Sequence, residues 1–381
     1  MDRVRIGVVG MGGMGYAHCK SVSGLDNALL TCVCDNEESV VRERAAEFGV
    51  RPFTDYREMV GSGCCDAVIV AIPHWFHPDV SVCAFEKGLH VLSEKPMAVT
   101  VEDADRMIKA ARDHKRVLSV MFQRRTEPVI RKAREIISTG QIGEIIRTLC
   151  VDSWYRTQAY YDSNVWRATW KGEGAGVLIN QAPHMIDIFL MLGGMPCRVE
   201  ARTRTRFHDI EVENEVQAVL EYGNGACGYY YTTTFEPVHG HYVEICGEKG
   251  KLTLHSGQLK FFRYREGISR HIAESEDMWA EMEFKEEKLE IPPQTVQGHV
   301  SIIKNFISAI LDGQEVVSPG EEGIHSVEFC NACILSGKKK KPVDLPIDRK
   351  EYTDLIEELK RNSQPKKNVR IQRATDPQYR K

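Results

Sequence analysis

Apolar runs of strand length alternate with amphipathic stretches through the first third of the chain. Val4 to Val9 is β-rich and ends at Gly10, and the pattern beyond it predicts a helix from Gly13 to about Val22. A second strand runs from Ala28 to Cys34 and ends at Asp35, and Glu37 to Phe48 reads as a helix closed by Gly49. Asp66 to Ile72 is a buried strand, Pro78 to Lys87 a helix stopped by Gly88, and His90 to Ser93 a short strand. Val101 to His114 is then a helix and Val117 to Phe122 a further strand. Strands separated by helices of this length build a parallel, doubly wound sheet, so the fold class is α/β with a Rossmann-type first domain.

Beyond residue 125 the texture changes. A helix from Pro128 to Ser138 ends at Gly140 and delivers a long strand from Ile145 to Tyr155. After a Gly-rich stretch and another helix, β-type runs follow one another: Arg198 to Phe207, Glu213 to Tyr222, Ala226 to Phe235, Tyr242 to Gly247 and Lys251 to His255. Gly223-Asn224-Gly225 and Glu248-Lys249-Gly250 are hairpin turns. This predicts an α+β second domain with a largely antiparallel open sheet. His299 to Leu311 is a late helix able to pack on either domain. The expected organisation is residues 1–124, residues 125–350, and a C-terminal helix with a basic tail over 351–381.

The 381 residues are 42% hydrophobic and 27% charged, enough apolar material for two cores. A net charge of −4 gives no field that draws nucleic acid or an anionic membrane. No apolar run reaches bilayer length, and Val4 to Val9 leads into a glycine motif rather than a secretory cleavage site, so a cytoplasmic location is expected. The 12 cysteines lie singly or as neighbours in apolar surroundings, and Cys330 to Cys333 lacks a second pair at zinc spacing. Reduced thiols and no metal are expected. Lys338 to Lys341 and the tail after Lys360 read as a solvated turn and a loose or subunit-embracing tail.

The chemistry begins at Gly10-Met11-Gly12-Gly13-Met14-Gly15, which follows a strand and opens a helix. Gly10 allows the tight turn, Gly12 lets backbone approach a pyrophosphate, and Gly15 lets helix and strand pack closely, with the helix N-terminus favouring the anion. Asp35 stands at the end of the second strand, twenty residues beyond Gly15. Its carboxylate suits the adenosine ribose hydroxyls and repels a 2′-phosphate. Asn36, Glu37 and Glu38 offer no Arg for such a phosphate, so NAD is expected rather than NADP.

Further motifs follow in order: Ile72-Pro73-His74, the stretch from His77 through Glu94-Lys95-Pro96, and GEGAGVLINQAPHMID from Gly172 to Asp187. With the glycine loop, they resemble the glucose-fructose oxidoreductase, inositol dehydrogenase and rhizopine-catabolism family (Gfo/Idh/MocA), through about residue 350. That resemblance implies cofactor contacts at Ile72, Pro73, His77, Glu94, Lys95 and Gln123, with Lys95 between cofactor and substrate. An ammonium there stabilises negative charge on the reacting oxygen. The family pattern puts an Asp where this chain has Asn180 and a His at His184, implying His184 as general base and Asn180 as its orienter. Asn180, His184 and Asp187 are spaced to line one helix face, with Pro183 as a break or first turn. Asp187 either holds His184, contributing to the substrate site, or caps a subunit contact.

Between strand and helix lie Trp154, Tyr155, Arg156, Tyr160, Tyr161, Trp166, Arg167 and Trp170. Aromatic faces beside arginines suit a pyranose ring, with Trp154, Arg156, Tyr160, Trp166 and Arg167 as substrate contacts; a packing cluster under the sheet is the other reading. The Trp166-Arg167 pair and the NQAPH segment resemble the branch that oxidises the C3 hydroxyl of glycosides. The expected function is NAD-dependent hydride transfer at a sugar or glycoside hydroxyl, in a homo-oligomer (dimer, tetramer or hexamer). A cyclitol dehydrogenase, a glycosidase acting through transient C3 oxidation, and a non-catalytic NAD sensor are the alternatives.

Overall fold

The computed structural model describes residues 2–238, 240–364, 366, 369 and 370, so most of the basic tail lies outside the described residues. A parallel sheet of six strands runs in the order β3-β2-β1-β4-β5-β6. Its strands are β1 (Val4–Val9), β2 (Ala28–Cys34), β3 (Arg51–Phe53), β4 (Ala67–Val70), β5 (His90–Ser93) and β6 (Leu118–Val120). Helices α1 (Gly13–Ser23), α2 (Glu38–Phe48), α3 (Tyr56–Gly61), α4 (His77–Glu86) and α5 (Val101–Asp113) cross between them. The register aligns Val9 with Cys34 and Val70, Val70 with Ser93, and Ser93 with Val120. Gly10, Asp35, Ala71, Glu94 and Met121 therefore emerge side by side at the carboxyl edge, where open α/β sheets bind ligands. Strand β3 and helix α3 escape sequence reading because β3 is only three residues, two of them exposed.

The rest of the chain contains α6 (Pro128–Ser138), β7 (Ile145–Ser153), α7 (Gln158–Asp162), α8 (Val177–Asn180), α9 (Pro183–Gly193), β8 (Arg198–Arg204), β9 (Glu215–Glu221) and β10 (Cys227–Thr233). It continues with β11 (His241–Gly247), β12 (Gly250–His255), β13 (Gln258–Tyr264), α10 (Ile268–Glu274), β14 (Phe284–Glu286), α11 (Gly298–Asp312), α12 (Gly320–Lys339), β15 (Val343–Asp344) and α13 (Arg349–Asn362). Nine strands form one sheet, β14-β13-β12-β11-β7-β10-β9-β8-β15, with only β7 and β10 parallel. One face is covered by α9 and α12; the other carries the row Glu200, Val219, Tyr229, Leu149 and Glu244.

Two late helices tie the halves together. Ile302, Ile303, Phe306 and Ile307 of α11 pack with Val4, Ile6, Val8, Leu92 and Met121, completing the core of the first sheet. Each such buried side chain contributes about 1.5–3 kcal/mol before entropy is counted. Helix α12 runs between the sheets, and its buried Asn331 donates to Val99 O at 2.9 Å and accepts from Val101 N at 3.0 Å. That pair fixes the segment that follows Lys95-Pro96. Among the described residues no cysteine is in a disulfide and no helix is long and apolar enough to cross a membrane.

Candidate active site

At the end of β1 the chain turns through Gly10 at φ +95°, where a Cβ would sit 2.3 Å from Ala71 O. A Cβ at Gly15 would lie 1.7 Å from Gly10 O, so helix and turn meet only through glycine. At Gly12, by contrast, a Cβ meets nothing within 4 Å among the described residues, and none of their side chains caps the start of α1. The open space above uncapped amides fits a pyrophosphate. Asp35 is steadied beside it, accepting from Met11 N at 2.8 Å and Glu37 N at 2.9 Å. The loop residues Gly12, Gly13 and Met14 would hold the phosphates of NAD, and Asp35 its ribose.

Two residues expected to touch the cofactor have side chains engaged within the protein. The ring of His77 is buried, with Nε2 2.7 Å from Ile72 O and Nδ1 2.9 Å from Pro96 O. It joins the loops after β4 and β5 and has no ring nitrogen left over. Glu94 turns back to α1, 2.7 Å from His18 Nε2, and accepts from Lys95 N at 3.2 Å. The His18 contact, with the charges of His299 and Lys95, holds its carboxyl at about 2 despite burial, which acts the other way. Ile72 packs at the Gly10 turn, where its Cγ2 is 2.8 Å from the Cβ position.

Lys95 leaves the carboxyl edge and donates from Nζ to Asn180 O at 2.9 Å, crossing from the first sheet to the end of α8. Desolvation lowers its pKa below the usual lysine value, opposed by Glu94 and Glu173. Asn180 Nδ2 donates to Glu173 Oε1, and Glu173 Oε2 accepts from Ala168 N at 2.6 Å. Glu173 is 1% exposed; burial raises its pKa, opposed chiefly by Arg167. It is the carboxylate of the cluster. Its place between two glycines of the quoted GEGAG segment was the only sign of it in the sequence.

Asn180, His184 and Asp187 do not line one continuous helix. Pro183 starts α9 afresh after α8 ends at Asn180, because its ring cannot continue the earlier ladder. His184 Nε2 lies 3.3 Å from Gln123 Nε2, while His184 Nδ1 and Gln123 Oε1 are buried without partners among the described residues. Ring and amide together thus leave one donor and one acceptor for a hydroxyl group. Burial, followed by the charges of Lys95, Arg124, His299 and His241, takes the His184 pKa well below 6.5. Asp187 does not hold His184: both its oxygens accept from buried Arg125, at 2.6 and 2.8 Å. Its i+7 spacing carried it past the site, onto the side of α9 that packs against the 123–126 turn.

The aromatic wall does come together. Tyr160 is flanked by both arginines, with Arg167 4.2 Å and Arg156 5.2 Å from its ring centre. Its hydroxyl accepts from Arg167 Nη1 and, at 3.1 Å, from Gln181 Nε2. Arg167 also stacks on Trp166 at 4.9 Å, and Arg156 on Trp154 at 5.4 Å. His74, its pKa lowered to about 3 mainly by burial, reaches Glu173 O at 3.4 Å and stands edge-on to Trp166. Trp170 and Tyr161 are packing residues: Trp170 is buried under Lys338, and the Tyr161 hydroxyl is bonded to Thr234.

Comparison with known proteins settles the family. The profile described as "Oxidoreductase family, NAD-binding Rossmann fold" matches residues 4–122, and the "GFO/IDH/MocA C-terminal domain" matches residues 130–253. The chain belongs to the Gfo/Idh/MocA oxidoreductase family. It is accordingly an NAD-dependent dehydrogenase. Levoglucosan dehydrogenase of Pseudarthrobacter phenanthrenivorans is 24% identical over 91% of this chain and 99% of its own. The NADP-dependent scyllo-inositol 2-dehydrogenase IolW of Bacillus subtilis is also 24% identical, over 91% of this chain and 97% of its own. Among solved structures, the WlbA dehydrogenase of Bordetella pertussis in complex with NADH and UDP-GlcNAcA superposes with a TM-score of 0.77 and 29% identity, over 91% of this chain and all of that one.

Proposed function

We propose that this Gfo/Idh/MocA enzyme oxidises a secondary hydroxyl of a sugar or glycoside, at C3 of a pyranoside, with NAD as hydride acceptor. The observation that carries this reading is one juxtaposition. Lys95 and the His184–Gln123 pair, both at the carboxyl edge, share the cluster with a wall of Trp154, Tyr160 and Trp166 edged by Arg156 and Arg167. Aromatic faces take the C–H surface of a pyranose, and guanidinium edges take its hydroxyls. The named activity of the levoglucosan relative and the UDP-GlcNAcA bound to WlbA support a sugar over another alcohol.

When bound, the nicotinamide supplies the two-electron acceptor. The remaining task falls to the protein. Lys95, as an ammonium, donates to the reacting oxygen and stabilises charge as the hydroxyl proton leaves. His184, neutral in this setting, accepts that proton at Nδ1, in the tautomer whose Nε2–H donates to the Gln123 amide turned to present its oxygen. Asn180 holds Lys95 through its carbonyl, and Gln123 fixes the tautomer of His184 by the face of its amide. On the far face of the second sheet, Val219 and Tyr229 are each 47% exposed beside one another, and we take this face as the contact between copies in a homo-oligomer.

A panel of glucosides, free sugars and cyclitols with NAD, followed by NADH absorbance, tests the substrate class. Turnover of glucosides above cyclitols supports the reading. Turnover confined to inositols overturns it, and aglycone release without NADH accumulation identifies a glycosidase that restores its cofactor each cycle.

A further inference from the structure

The cluster contains a carboxylate that the family pattern places elsewhere. Where that pattern has an acid, this chain has Asn180, yet Glu173 bonds the amide of that same residue. We propose that Glu173 is the relocated carboxylate of this active centre, a positioning residue that acts on Lys95 through Asn180 and also holds the substrate loop. This rests on the dehydrogenase reading above and deepens it.

Three observations support the assignment. Glu173 divides its oxygens between two duties: Oε1 takes the amide of Asn180, whose carbonyl holds Lys95, and Oε2 takes Ala168 N. Ala168 sits at φ +57°, a left-handed conformation that is unfavourable for alanine and lasts only where something holds it. The neighbouring Arg167 is thereby aimed at Tyr160 and Trp166. Finally, a carboxylate this deeply buried is expensive unless cations surround it. Lys95, Arg167 and Lys366 all interact with it, as do Tyr160 and Tyr161, while His74 meets its backbone carbonyl. For packing alone, glutamine has the same shape.

The charge environment of Lys95 sets the direction of the effect. Glu94 and Glu173 favour its ammonium, whereas Arg156 and Arg167 oppose it, together with the imidazoles of His74, His77, His184 and His299 if any of them charge. Removing Glu173 lowers the pKa of Lys95, and a carboxylate restored one bond away at position 180 raises it again.

The test compares Glu173→Gln, Asn180→Asp and the double variant. Glu173→Gln should lose about a hundredfold in kcat, the scale of a disturbed proton-handling group, with NADH affinity unchanged. The double variant Glu173→Gln/Asn180→Asp should recover to within roughly tenfold of wild type, while Asn180→Asp alone, with two carboxylates crowded together, should not exceed wild type. Reductive methylation with a ¹³C label, assigned by Lys95→Met, reads the Lys95 titration with no substrate present. Its midpoint should fall in Glu173→Gln and return in the double variant. This arm stands even if no glycoside is turned over, so it separates failure of the proposal from failure of the substrate reading. Normal kcat with an unmoved Lys95 midpoint in Glu173→Gln overturns the proposal, as does a double variant no better than the single one in both readouts. If Glu173→Gln fails to bind NADH, the double variant decides: NADH binding with recovered turnover supports the proposal, and its absence overturns it.

Discussion

The Nζ of Lys95 lies 2.9 Å from the carbonyl oxygen of Asn180, a bond that links the sheet edge carrying the cofactor loop to the short helix before His184. It puts a cation from the first domain at the centre of a cluster built by the second. Replacing Lys95 with Met keeps the unbranched stem of the side chain and removes its charged end. Turnover should fall by roughly two to three orders of magnitude, the scale for losing one preorganised electrostatic donor. NADH binding by calorimetry should persist, because the glycine loop is untouched; near-normal turnover would remove Lys95 from the chemistry.

Asp35 should set the cofactor preference. Its carboxylate already accepts two backbone amides and stands beside the glycine loop, where the ribose would lie. Steady-state kinetics should show NAD strongly preferred, and Asp35→Ser should raise KM for NAD by about ten- to a hundredfold, the worth of a charged hydrogen bond. The same variant should accept NADP more readily. A wild-type preference for NADP would refute this assignment.

The pH profile separates the two ionising groups. His184 has a pKa well below 6.5, so its base form is populated at neutral pH and the rising limb of oxidation lies in the acid range. Lys95 acts as the ammonium, and its pKa is below 10.5, so the rate should fall again before that pH. The expected profile is a plateau through neutrality with a falling alkaline limb. His184→Ala should lower the plateau roughly a hundredfold or more yet keep the alkaline limb, which Lys95→Met should remove. A wild-type rise centred near pH 7 that vanishes in His184→Ala would show that His184 titrates normally.

Much of this was legible in the sequence where spacing and local chemistry agree. Five of the six parallel strands follow from apolar runs punctuated by glycine, β3 being too short and exposed to show, and the glycine loop and Asp35 are read from positions that backbone geometry explains. The site's second half was harder. One helix face through Asn180, His184 and Asp187 required an unbroken ladder, and Pro183 restarts it, leaving Asp187 in a buried pair with Arg125. His77 turns inward to Ile72 and Pro96, and Glu94 to His18, contacts that no periodic pattern in the sequence announces. Glu173 carries no periodic signal, because its partners Ala168 and Asn180 are brought to it by a loop of irregular backbone.

Stability should carry its own pH signature through Glu213. Its carboxyl accepts from Gly176 N and Leu178 N at the start of α8, and burial lifts its pKa to about 7 from an ordinary 4.5. A raised folded pKa means the folded state favours the protonated form. That contribution is fully present below pH 4.5 and is lost as pH rises through about 7. Glu213→Gln removes the ionisation and keeps one acceptor. Its Tm should exceed wild type on the order of 3 °C at pH 8 and match it near pH 4. A variant less stable than wild type at pH 8 would show that the charged form is needed there.

The position of the reacting carbon tests the central claim most directly. A methyl glucopyranoside carrying deuterium at C3 should be incubated with NAD and the enzyme, and both products followed by NMR. The account predicts deuterium in the NADH and a new carbonyl at C3 of an otherwise intact glycoside. Deuterium retained in the sugar while NADH forms, or a carbonyl at C1 or any other carbon, would contradict it.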